Sequence, residues 1–139
     1  GELLYTYYPD ILIQTKDGKI GIIEVKPLYD LCDKSVKDKW EMLKQFCTEN
    51  GYMCFIGNRV FNGYPELLKR PIPKALEDDV AFNLRKYNEF NFEDYKAYKR
   101  SSSLKGRQLD VALSALCVKK KYTYDINFYG LREFKIYRE

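Results

Sequence analysis

Histidine is absent from the 139 residues, which removes Ser/His and Cys/His triads, HExxH zinc sites and any histidine general base. The four cysteines, Cys32, Cys47, Cys54 and Cys117, form no CxxC pair, so neither a disulfide framework nor a zinc site is indicated. Reduced, mostly buried thiols are expected. No apolar run approaches the ~20 residues that span a bilayer, and the first residues lack the charged, apolar, small-residue order of a signal peptide. No membrane contact is expected. Any hydrolytic chemistry must therefore rest on carboxylates, lysines and a metal.

What is present suits one compact domain or a small domain with an appendage, because 45% apolar residues can bury a core. The net charge of +4 is unevenly placed. Residues 1 to 70 hold ten Lys/Arg and ten Asp/Glu, whereas residues 71 to 139 hold fourteen and ten. A bias of this size allows attraction to phosphate without demanding it. The 16% aromatic content, Trp40 included, reads as core before it reads as a base-stacking platform.

Tyr7 to Gln14 carries Tyr8, Ile11, Leu12 and Ile13 and predicts a buried strand. Lys16 to Lys19, with its Asp-Gly pair, predicts a turn into a second strand, Ile20 to Val25, which Pro27 ends. From an N-cap at Ser35 to Asn50, Val36, Trp40, Leu43, Phe46 and Cys47 recur at helical spacing, and Gly51 stops the helix. Tyr52 to Gly57 predicts a third strand. Pro65, Pro71 and Pro73 mark a link. Beyond it, Lys74 to Tyr87, Phe92 to Arg100 and Arg107 to Lys119 predict three helices, the last with Leu109, Ala112, Leu113, Leu116 and Cys117 on one face. A terminal hairpin, Tyr122 to Asn127 and Glu133 to Tyr137 broken at Gly130, completes a winged-helix-like pattern.

The chemistry gathers in the first hairpin. Pro9-Asp10, thirteen residues, and then Glu24-Val25-Lys26 place two carboxylates and an amine on neighbouring strands. Strand alternation turns Glu24 and Lys26 to one face, and the turn near Gly18 brings Asp10 alongside. Two carboxylates with a backbone carbonyl, that of Val25, suit Mg²⁺, which takes few protein oxygens and keeps several waters; Mn²⁺ is expected to substitute. Lys26 could orient a water or neutralise charge at phosphorus.

These residues resemble the PD-(D/E)xK nuclease superfamily, and within it the stretch is most similar to the TnsA-type endonuclease subunits of transposons. The resemblance rests on Tyr7 to Asp10, Glu24 to Pro27 and the helix Ser35 to Gly51, and covers residues 5 to 60. It implies an α/β restriction-endonuclease-like core, a mixed sheet with a flanking helix, over residues 1 to 70, and a winged-helix-like module over 71 to 139. It also implies hydrolysis of DNA, a transposase or ATPase partner subunit or a homodimer, and a cytoplasmic place in a bacterial or phage-infected cell. A further acidic residue is implied on a helix before the first strand. Glu2 is the sole acid ahead of Asp10, so a chain beginning at Gly1 is read as having lost that helix.

Lys39, on the long helix, and Lys99, Arg100, Lys105 and Arg107, around the turn before the last helix, are candidate nucleic-acid contacts. A solvated helix face explains them about as well. Two other readings fit the motif: from another class, an adaptor with an incomplete acid cluster that binds DNA or a protein partner, and, within enzymes, a phage-type Holliday-junction resolvase, which would be a dimer preferring branched DNA.

Overall fold

The computed structural model describes residues 10–57, 63–104, 107–125 and 134–138. Strand β1 (Ile11–Gln14) runs through a turn into β2 (Ile20–Val25). Gly18 takes φ +86° there, its N–H donating to the Thr15 carbonyl at 3.0 Å, a conformation that costs glycine least. Pro9 and the predicted start of the first strand lie outside the described residues.

Pro27 ends β2 and introduces a short 3-10 helix, Leu28–Asp30. Helix α1 (Lys34–Asn50) follows, and its N-cap is Asp33 rather than the expected Ser35. The Ser35 hydroxyl donates to the Asp33 carboxylate at 2.5 Å, so Ser35 sits inside the first turn. Gly51 closes the helix at φ +69°, the left-handed cap that glycine favours. Of the five predicted apolar positions, Trp40, Leu43 and Cys47 are buried, Val36 is partly so, and Phe46 is exposed. Phe46 meets the edge of Tyr52, ring centroids 5.9 Å apart.

Strand β3 (Met53–Gly57) pairs parallel to β2, and β1 pairs antiparallel to it, giving a mixed sheet in the order β1-β2-β3. In the stretch expected to be a link, Gly63–Leu68 forms helix α2, with Leu67 fully buried. Gly63 allows this approach, since a Cβ there would lie 2.6 Å from Leu31 Cδ1.

Helices α3 (Lys74–Tyr87), α4 (Phe92–Ser101) and α5 (Arg107–Lys120) form where expected. Between α3 and α4 lies β4 (Phe90–Asn91), which the sequence reading missed. The terminal strands β5 (Thr123–Asp125) and β6 (Lys135–Tyr137) pair antiparallel, and β4 adds to β6, so this sheet runs β4-β6-β5. Gly130 lies outside the described residues. Asn91 and Asp94 form a reciprocal capping box that starts α4.

Helix α5 departs most from its expected amphipathic form. Every residue from Ala112 to Cys117 is buried, in addition to Leu109. Leu109, Ala112, Leu113, Leu116 and Cys117 join the core of α3, β4, β5 and β6, while Ala115 joins the cluster of Ile22, Leu31, Trp40, Leu43 and Ile56 under the first sheet. The Ser114 hydroxyl donates to the Leu28 carbonyl at 3.1 Å. A helix apolar all round is one buried on all sides. Among the described residues no helix is long and apolar enough to cross a membrane.

Candidate active site

The alternation of β2 turns Ile22, Glu24 and Lys26 to one side, and Ile22 packs there with Trp40, Leu43 and Cys47 of α1. Because Ile11 lies opposite Ile23, one further step brings Asp10 level with Glu24. The side chain confirms the approach: Asp10 Oδ2 accepts the Val25 N–H at 2.8 Å. Lys26 follows the end of β2, its N–H donating to the Gly57 carbonyl at 3.0 Å. The parallel pairing with β3 thus reaches past the strand and fixes the backbone that carries the lysine.

Glu24 is partly buried, and burial raises its carboxyl above the ordinary value, opposed by Lys26 and then Lys39. Lys39 of α1 therefore belongs to the field of this site, which its place in the sequence did not reveal. Asp30 is a second addition. Its Oδ1 is buried with no hydrogen-bond partner among the described residues. Burial raises its carboxyl too, opposed first by Lys26, and Arg107 acts in the same sense. The signal that could have found Asp30 was an acid within four residues of Lys26 on a short, proline-started turn.

The remaining candidates divide. Arg107, at the start of α5, lies 4.5 Å from the Tyr29 ring centroid and pairs with Asp110 at 3.2 Å, which brings it to the Asp30 side. Lys99 and Arg100 stand exposed in the last turn of α4, Lys99 over the Tyr95 ring at 5.8 Å. Lys105 lies outside the described residues.

Asp10 keeps a second carboxylate oxygen beyond the one facing Val25, and Val25 is exposed. Two hard-oxygen side chains with a neighbouring carbonyl fit Mg²⁺ and not the closed N/S sets that hold zinc. No cluster of three or more Asp, Glu, Cys or His side chains suited to a metal occurs among the described residues. The four cysteines are free thiols, three of them buried.

No curated protein and no solved structure matches the chain. Residues 2–56, the segment that carries the strand hairpin and α1, match the family model described as TnsA-like endonuclease N terminal.

Proposed function

We propose that the chain is a metal-dependent DNA endonuclease of the PD-(D/E)xK type, with Asp10, Glu24 and Lys26 as its centre. The observation that carries this reading is the convergence of Asp10 on the Glu24-Val25-Lys26 strand, with Asp10 Oδ2 on the Val25 N–H at 2.8 Å, inside the segment that matches an endonuclease family.

Asp10, Glu24 and the Val25 carbonyl would hold Mg²⁺, or Mn²⁺ in its place. The bound ion would supply Lewis acidity and a water acidified enough to act as nucleophile. The chain's own part is to set charge around the scissile phosphate. Lys26 offsets negative charge at phosphorus as it becomes pentacovalent, an interaction stronger in the transition state than in the bound substrate. The partial burial of Glu24 lowers the local dielectric and strengthens these interactions. The products are a 5′-phosphate and a 3′-hydroxyl.

The boundary near residue 70 and a winged-helix-like second module belong to the same proposal. Support comes from the order helix, strand, helix, helix, strand, strand, with the last strand central in its sheet. The partners proposed are DNA and a transposase or ATPase subunit, or a second copy of the chain. A second reading, an adaptor that binds without cutting, draws on the commitment of Asp10 Oδ2 to the Val25 N–H.

Cleavage of supercoiled plasmid in Mg²⁺ and Mn²⁺ separates them, comparing this chain, its Glu24→Ala variant and a form extended at the amino terminus. Metal-dependent cutting that Glu24→Ala lacks supports the enzyme, and cutting by the extended form alone shows that the added segment is required. Silence in both forms, with DNA still bound, supports the adaptor.

A further inference from the structure

The buried state of α5 raises the question of where the second module meets a nucleic acid. A third helix whose residues Ala112 to Cys117 are all buried cannot lay that stretch in a groove, and Arg107 at its start is paired with Asp110. Lys74, Lys96 and Lys120 are likewise paired, with Asp78, Glu93 and Glu77. The cations left to attract an anion lie elsewhere.

Two of them converge. Arg85, in the last turn of α3, and Arg138, just past β6, line one open surface depression of about 350 Å³ together with Leu84 and Asn88. Neither arginine has an ion pair among the described residues. Both arginines are exposed, on an anchored backbone: Leu84 beside Arg85 is in the core, Asn88 caps α3 at φ +62°, and the Arg138 guanidinium lies 5.7 Å from the ring centroid of buried Tyr122. Two guanidiniums on one depression repel each other, and a bridging anion relieves that cost. Their planar forks suit phosphate oxygens.

The neighbouring surface extends the site. Lys86 stands over both Phe82 and Tyr87, at 5.5 and 5.3 Å from their centroids, and those rings are 47% and 57% exposed. Cations beside open aromatic faces form the combination that tracks a nucleic-acid backbone and stacks its bases. We propose that the Arg85–Arg138 depression binds a backbone phosphate of a nucleic-acid strand, with Phe82 and Tyr87 as stacking surfaces for its adjoining bases. The site is separate from the Asp10–Glu24–Lys26 centre and stands whether or not that centre cuts.

The test is fluorescence anisotropy of a labelled oligonucleotide, single-stranded and as its duplex, with the full chain in EDTA over a range of salt. Arg85→Gln/Arg138→Gln should weaken binding at least about tenfold and flatten the salt dependence by about 0.7 on a single strand or about 0.9 on a duplex, the loss of one phosphate contact. Phe82→Leu/Tyr87→Leu should weaken the single strand about tenfold and leave the salt slope unchanged. Equal loss on the duplex would overturn the stacking part. Lys16→Gln/Lys69→Gln removes the same charge from exposed positions outside every candidate contact, and circular dichroism checks each fold. Unchanged affinity and slope in the arginine variant, or an equal effect of the lysine variant, would overturn the phosphate site.

Discussion

The two ends of the molecule use their apolar residues differently. The first sheet packs a small cluster against α1 and leaves Leu12 and Met42 64% and 68% exposed, with Ile11 and Phe46 also in solvent. The second part closes a larger core over α5, where Phe90, Phe92, Tyr95 and Tyr124 surround Phe134 at centroid distances of 5.1 to 6.4 Å. The charged side chains of the proposed site stand on the less buried part. The second part contributes stability to the first through Ala115 and through the bond from Ser114 to Leu28. A carboxylate pair held ready for a cation is costly to bury, and a strand hairpin braced from one side can tolerate it.

The sharpest way to break this comparison is at the site itself. Glu24→Ala should lower plasmid cleavage by about a thousandfold or more, while thermal unfolding stays close to wild type. Leu113→Ala, at a fully buried position in α5, should cost about 2–5 kcal/mol in chemical denaturation. Because α5 touches both clusters, the signal of Trp40 in the first cluster should move with the circular dichroism of the second. Separate transitions would contradict a shared helix.

Removing the cap of α4 is a smaller perturbation. Asn91→Ala deletes the acceptor for the Asp94 N–H and should cost about 1 kcal/mol, with cleavage unchanged. Glu24→Gln tests the raised carboxyl. A carboxyl raised in the folded state binds protons more tightly there than in the unfolded chain, so it takes stability away as pH rises above the ordinary Glu value of 4.5. The variant should therefore unfold later than wild type at neutral pH, and the two should converge in acid. The weakest effect belongs to the open surface: Leu12→Ala should shift stability by no more than about 0.5 kcal/mol.

Much of the first part was legible because its signals are local. An Asp-Gly turn, a branched strand ended by Pro27 and a helix ended by Gly51 each state their geometry within a few residues, and the observed bounds of β2 and α1 follow them closely. The missed features depend on distant residues. Strand β4 has two residues and exists through Ile136 and Lys135, far along the chain. Helix α2 forms in a proline-marked stretch because Leu67 finds a buried place. Burial of Ala112 to Cys117 could not be read from one apolar stripe, since the rest of the cover of α5 comes from the 3-10 helix Leu28–Asp30 and from α2. At the proposed site, spacing and alternation pointed to Asp10, Glu24 and Lys26 as candidates, whereas the proximity of Asp30 and Lys39 to them arises only when the 3-10 helix and α1 fold beside β2.

The most direct test of the central claim is calorimetric titration of Mn²⁺ into the full chain and into Asp10→Asn, Glu24→Gln and Lys26→Ala. Binding that is lost in both carboxylate variants and kept in Lys26→Ala is the predicted result. Mn²⁺ binding that persists unchanged without either carboxylate would contradict a metal centre on this strand pair.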